Sequence, residues 1–206
     1  MKVKICGITN LDDALLCCSL GADAIGFIFY DKSKRAISHQ DAKNIIAKLP
    51  PFITKVGVFV NQTPEEINTL SEEIGLNVIQ YHADILPIEA KKIIYPVIKV
   101  FRVSTGFNFK LLSGYNNCTF LLDTYTEENI GGTGKTFDWN IIPQELRSKI
   151  ILAGGISIDN IEHIYNIVKP YAIDLSSSVE YLPGKKDKNK LTEFFNKINQ
   201  LRYSSC

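Results

Sequence analysis

The chain has 206 residues, enough for one large domain or two small ones with ample apolar surface for a core. Its 23 Lys and Arg against 22 Asp and Glu leave a formal net charge of +1, so composition gives no electrostatic case for a nucleic-acid or acidic-membrane partner. Five cysteines, at 6, 17, 18, 118 and 206, lack Cys-x-x-Cys or Cys/His spacing, which argues against a disulfide framework or a zinc site and for a reduced, cytoplasmic setting.

No run is long and apolar enough to span a bilayer, and the opening MKVKICGIT lacks the apolar stretch and small-residue cleavage site of a signal sequence. Short β-rich runs then alternate with helical patterns along the whole chain. Residues 2–6 form the first run, followed by Thr9 and Asn10 as helix-start signals, an amphipathic stretch to Leu20, and Gly21 as its stop. The second run is ADAIGFIFY. Ser38 with Asp41 resembles a capping box and predicts a helix through Leu49, ended by Pro50 and Pro51. TKVGVFV is the third run, and Thr63 followed by Pro64 is a strong helix start.

NVIQY, VIKVFRV and CTFLLDT read as strands four to six, with helical segments near residues 87–95 and 106–113. KIILAG is strand seven, residues 158–168 its helix, YAIDLS strand eight, and residues 188–201 the last helix. Eight strand–helix pairs predict a closed parallel (β/α)8 barrel, the TIM-barrel architecture, as one domain over residues 1–206. A doubly wound open sheet would alternate in the same way, but ICGITN has a single glycine where its dinucleotide fingerprint belongs.

The segment ENIGGTGKTFDW invites a nucleotide-loop reading. A Walker A loop needs a glycine where Asn129 stands and a helix directly after Thr136, yet Pro143 follows too soon. A Rossmann pattern would need a third glycine at Phe137. The segment directly follows a strand ending in Asp123, so its glycines are expected to allow a mobile cover, with Lys135 as a loop anchor.

Chemistry in a parallel barrel sits at the C-terminal strand ends. Those ends carry Cys6, with Lys4 two residues earlier on the same face, then Arg35, Gln80, His82, Asp123, Gly154, Gly155, and Asp174 followed by three serines. From position alone Cys6 stands equally as a packed small hydrophobe or a reactive group. Cys17, Cys18 and Cys118 are expected to be packing residues, and His82 a satisfied rim histidine. No carboxylate or second histidine stands at metal-ligand spacing. The glycines after strand seven with Ser176 and Ser177 after strand eight suit a phosphate held by backbone N–H groups and hydroxyls, so the expected ligand is a phosphorylated small molecule.

The segments KICGIT, GADAIGFIFY, SKRAIS, VGVFVN, LLDT with GGTGKTFDW, LAGGI, and DLSSSVEYLPGKKD together resemble the phosphoribosylanthranilate isomerase family along nearly the whole chain. Two departures are QYHA at 80–83, for the family's usual Gln-Leu-His-Gly, and SSS at 176–178, for Ser-Ser-Gly. The resemblance implies a barrel without cofactor or metal and an Amadori rearrangement of N-(5-phosphoribosyl)anthranilate in tryptophan biosynthesis. It implies Cys6 as general base, Asp123 as general acid and Arg35 as a substrate-binding residue.

The chemistry asks for such a pair, because ring opening needs a proton on the furanose oxygen and then loss of a proton from C2'. A thiol serves as base if its surroundings favour the thiolate, with Lys4 as the nearby cation. Asp123 can donate at pH 7 only if its pKa rises from about 3.9 to about 7, a differential of roughly 4 kcal/mol. Arg35 is expected to meet the anthranilate carboxylate with its planar fork. A pentose-phosphate epimerase, a histidine-pathway sugar isomerase and a non-catalytic phospholigand barrel are the competing readings. A monomer is expected, since no long exposed apolar stripe stands out.

Overall fold

The computed structural model describes residues 1–124 and 138–203. The glycine loop, Lys135 and Cys206 lie outside the described residues. Eight parallel strands close into a barrel in sequence order: β1 Lys2–Cys6, β2 Ala24–Ile28, β3 Thr54–Phe59, β4 Val78–Tyr81, β5 Val97–Val103, β6 Cys118–Thr124, β7 Ile150–Ala153 and β8 Ala172–Leu175. Closure is made by β1, which pairs with both β2 and β8.

Alternation sorts the strand residues into two layers. Val56, Ile98, Val100, Leu121, Ile151, Ala153 and Ala172 pack together inside the barrel. Val3, Ile5, Ile25, Phe27, Phe59, Ile79, Leu122 and Ile173 belong to the larger shell against the helices. Lys4, Cys6, Gln80, Arg102, Asp123 and Asp174 share the interior parity, so the polar residues of the barrel converge on one axis.

The helix-start signals act as expected at three places. Asn10 accepts the Asp13 N–H and opens α1 Leu11–Leu20, which ends at Gly21 in the left-handed region. Ser38 accepts the Asp41 N–H at the start of α2 His39–Ile46. That box is not completed, because Asp41 is one methylene shorter than Glu and its carboxylate takes the Ser38 hydroxyl instead. Thr63 and Glu66 form the full reciprocal box at α3 Pro64–Ile74.

The helices between β4 and β8 are shorter than the pattern predicts, and α2 itself stops at Ile46. The segment near 87–95 yields only α4 Pro87–Ala90, and Pro96 keeps Tyr95 out of helical geometry. The segment near 106–113 is a 3-10 helix, Phe109–Gly114, started by the Asn108 side chain. Between β6 and β7 lie a 3-10 turn, Trp139–Ile141, and α5 Gln144–Arg147 after Pro143. Residues 158–168 give α6 Ile161–His163 running into a π-helical turn, Ile164–Val168, which ends at Lys169 with φ 52° before Pro170. The wide turn buries both Ile164 and Val168.

The last helix, α7 Lys188–Tyr203, buries Leu191, Phe194, Phe195 and Ile198, a single helical stripe. Truncating either phenylalanine to alanine is worth about 3–5 kcal/mol. One element was not expected: residues after β8 form an antiparallel hairpin, β9 Glu180–Leu182 and β10 Lys185–Lys186, turning at Gly184 with φ 77°. Among the described residues no helix is long and apolar enough to cross a membrane.

Candidate active site

The interior parity brings Cys6, Lys4 and Asp174 together at the β1–β8 seam. Lys4 and Asp174 are register partners, and the Lys4 ammonium donates to both Asp174 carboxylate oxygens at 2.9 Å. Both side chains are more than nine-tenths buried. Across the seam on β2, Gly26 is the register partner of Cys6. A Cβ there would stand 2.9 Å from Cys6 Sγ and 3.1 Å from Lys4 Nζ, so the missing side chain is what admits both groups.

Burial drives the Lys4 pKa down, but Asp174 and the Cys6 thiol outweigh it and hold Lys4 above the ordinary lysine value. Burial likewise holds Asp174 above the usual carboxylate range against the pull of Lys4. For Cys6, burial raises the pKa, Lys4 and Lys186 lower it, Asp174 raises it, and the balance lies above the ordinary thiol value. Lys4 points inward and favours the thiolate, as expected, but desolvation outweighs it.

Asp123 ends β6 with its carboxyl in the mouth of the barrel. Burial, joined by the Asp174 carboxylate, pushes its pKa up to about 6, against the Thr124 backbone N–H, Arg102 and Lys4. The space for it is made by Gly154, whose φ is 81° and whose Cβ would lie 2.6 Å from Asp123 Oδ1 and 2.7 Å from the Thr124 nitrogen. Gly154 therefore makes room for the Asp123 carboxyl directly. His82 follows β4 and is neutral: burial, then Lys4 and Arg102, lower its pKa to about 3, and its Nε2 accepts the Gln80 side-chain amide at 2.9 Å. It is the satisfied rim histidine that position suggested. Cys17 and Cys18 lie on α1, and burial raises both thiols, Cys17 to about 12. Cys118 lies at the far end of β6, away from this site.

The β7 and β8 ends supply the remaining groups. Gly155, also left-handed with φ 69°, has its carbonyl held by the Asn160 side chain at 2.8 Å. Ser176 directs its hydroxyl at the Cys6 carbonyl, 3.4 Å away, and Ser177 begins a 3-10 turn, Ser177–Val179.

Arg35 has a partner within the chain that the sequence did not show. Its Nε and Nη2 both donate to Glu180, the closest contact being 2.7 Å, so this edge of the fork is already occupied. Lys186, with a fully buried side chain, donates to the other Glu180 oxygen at 2.7 Å and to the Cys6 carbonyl at 2.6 Å. Glu180 and Lys186 were missed as site-forming residues because the hairpin is organised by tertiary contacts, although VEYLPGKKD places alternating charges around a Pro-Gly turn. Arg102 was also missed, although VIKVFRV places it at a strand end with interior parity. Among the described residues no cluster of three or more His, Cys, Asp or Glu could hold a metal ion.

Residues 3–197 match the family model described as N-(5'phosphoribosyl)anthranilate (PRA) isomerase. A curated N-(5'-phosphoribosyl)anthranilate isomerase from Pseudomonas putida is 44% identical over 204 residues, covering 97% of this chain and 98% of the relative. The crystal structure of phosphoribosyl anthranilate isomerase from Thermotoga maritima superposes with a TM-score of 0.89 at 43% identity, covering 97% of this chain and 98% of that one. A further structure, of such an isomerase in complex with reduced 1-(o-carboxyphenylamino)-1-deoxyribulose 5-phosphate, has a TM-score of 0.86 at 40% identity, with 97% and 98% covered.

Proposed function

Because the chain belongs to the N-(5'-phosphoribosyl)anthranilate isomerase family, we infer that it converts N-(5'-phosphoribosyl)anthranilate to 1-(2-carboxyphenylamino)-1-deoxyribulose 5-phosphate in tryptophan biosynthesis. The observation that carries the assignment of roles is a buried carboxyl, Asp123, with its pKa raised to about 6, on the same barrel end as a buried thiol, Cys6.

Asp123 in its acid form donates to the furanose ring oxygen, the C1'–O bond breaks, and the nitrogen lone pair forms a protonated imine. The imine acidifies the C2' hydrogen, and the Cys6 thiolate removes that proton, giving an enolamine that collapses to the ketone with protonation at C1'. C2' is oxidised as C1' is reduced within one molecule, so the two proton-transfer groups balance the reaction. The cationic imine adds positive charge near Cys6 and offsets the burial that holds the thiol protonated.

Gly155, Ser176 and Ser177 are assigned to the phosphate, supported by their place on the two loops that commonly bind it in barrels. Gly154 is assigned to the same loop and to room for Asp123. Asp174, with Lys4, is assigned to a sugar hydroxyl, and Arg35 to the substrate through the nitrogen that Glu180 leaves over. The four described cysteines are free thiols, which supports a cytoplasmic setting.

Loss of substrate fluorescence on adding the purified protein tests the activity. Cys6→Ser and Asp123→Asn are each expected to abolish turnover with the circular dichroism spectrum unchanged. Near-wild-type turnover by either variant would remove its assigned role.

A further inference from the structure

Arg35 is held from two sides. Its stem lies along Gly7, the residue after Cys6, where φ is 75° and an added Cβ would stand 2.6 Å from Arg35 Cδ. Its side edge, Nε with Nη2, donates to Glu180. Glu180 has little freedom of its own, because its Oε1 also accepts the Lys186 ammonium at 2.7 Å and the Gly184 N–H at 3.3 Å. The hairpin carrying both residues is tied down as well. The Lys186 backbone N–H donates to Asp13 of α1 at 2.9 Å, and Lys190 of α7 donates to the Glu180 carbonyl at 2.7 Å.

Two features of this cluster bear on a bound carboxylate. A guanidinium can take a carboxylate bidentately on its side edge or on its end edge. With Glu180 on the side edge, the end edge, Nη1 with the second Nη2 hydrogen, has no partner among the described residues. Arg35 is also the member of the cluster that reaches solvent, its side chain 19% exposed against 4% for Glu180 and 0% for Lys186. The second feature is charge. An isolated Arg35 and Glu180 pair would be neutral and would attract a further carboxylate weakly. Lys186, buried and donating to the Cys6 carbonyl, leaves the cluster with two cations against one carboxylate.

We propose that Glu180 is a positioning residue for the substrate carboxylate, fixing Arg35 with its end edge towards the mouth, and that Lys186 keeps this subsite cationic. The proposal rests on the isomerase reading above, with Arg35 as the group that meets the anthranilate carboxylate. It deepens that reading by giving the hairpin after β8 a part in choosing substrates whose aromatic amine carries an acid. Because Lys186 also holds the Cys6 carbonyl, the carboxylate subsite and the thiol share one anchor.

The test measures dissociation constants for two unreactive ligands, so that any general loss cancels in their ratio. One is the reduced form of the aminoketose product, and the other is the same compound with phenyl in place of 2-carboxyphenyl. Wild type is expected to prefer the carboxylated ligand by about ten- to a hundredfold, the usual worth of a charge-assisted contact, and Arg35→Met to lose that preference. Glu180→Gln makes the cluster more positive, so charge alone would strengthen the preference. Positioning predicts instead that the preference falls by about tenfold, because the amide has one acceptor to divide between two cations. Glu180→Met combined with Lys186→Met keeps the wild-type net charge without the acceptor, and it carries the test if the single variant does not fold. The preference should fall there too. An unchanged or stronger preference in either folded variant would overturn the proposal, as would equal losses on both ligands, the mark of a structural role. A double variant that unfolds while Arg35→Met folds would show the same and overturn it as well. A wild type that turns over the substrate without a preference between the ligands, or an Arg35→Met that keeps one, would take the carboxylate away from Arg35 and the proposal with it. A wild type that neither turns over N-(5'-phosphoribosyl)anthranilate nor binds either ligand would instead refute the isomerase reading.

Discussion

The resting protonation states of Cys6 and Asp123 are opposite to those their proposed roles need, and pH exposes this. Asp123 must be protonated, yet its pKa is about 6. Cys6 must be ionised, yet burial holds its pKa above the ordinary thiol value of about 8.5. Between these limits each unit of pH deprotonates Asp123 tenfold and ionises Cys6 tenfold, so the competent population is flat. With the acid at about 6 and the thiol held above its ordinary value by burial, that population is a small minority of the molecules. The expected profile of kcat/KM is therefore level from about pH 6 up to an alkaline limb above the ordinary thiol range, falling tenfold per unit outside it. Initial rates of fluorescence loss at substrate well below KM give the profile. Site-resolved alkylation of Cys6 against pH gives the thiol limb independently of Asp123. An alkaline limb below about pH 8 that coincides with a depressed Cys6 alkylation pKa would refute the reasoning, as would level activity down to about pH 4, where an ordinary aspartate titrates.

Three further outcomes are expected. Asp123 has a raised folded pKa, so its ionisation opposes folding as pH rises from about 3.8 through about 6, and Asp123→Asn should be more stable than wild type at pH 7.5, by at most about 3 kcal/mol, but not at pH 3; thermal melts at both pH values check the sign. Gly154→Ala should lose about 1–3 kcal/mol in urea denaturation and at least tenfold in kcat, because its φ of 81° is strained for alanine and the new methyl meets Asp123 and a rigid backbone nitrogen; unchanged kcat would argue against Gly154 seating the acid. Lys186→Met should cost about 3–5 kcal/mol in the same assay by removing one cation from buried Glu180, with a smaller loss indicating that Arg35 alone satisfies that carboxylate.

Strands were legible because each is a short apolar run bounded by turn residues, and in a barrel nearly every strand position is buried on one face or the other. β5 and β6 begin and end at the expected residues. Helices were legible where a side-chain cap announced them, at Asn10, Ser38 and Thr63, and failed where prolines and strand geometry decided the length, as at Pro96 and Pro170. The positions of Cys6 and Asp123 followed from strand ends. Their protonation did not, because a pKa depends on desolvation and on partners such as Asp174, which is 168 positions from Cys6 in the chain yet adjacent to Lys4 in register. Arg35 shows the limit of reading a residue alone: its charge and place were evident, but its partner Glu180 belongs to a hairpin that has no hydrophobic alternation to reveal it.

That hairpin also sets the order in which the enzyme can come into being. The Cys6 carbonyl is held by an ammonium 180 residues later, and Arg202 binds the carbonyl of Met1. The first strand of the barrel is thus the last to be secured, since its closing partner β8 and its clamp both follow the other strands in the chain. A growing chain halted before residue 186 would carry Cys6 and Asp123 but not the ammonium that holds the Cys6 carbonyl, so the site stays unfinished until the hairpin after β8 has emerged.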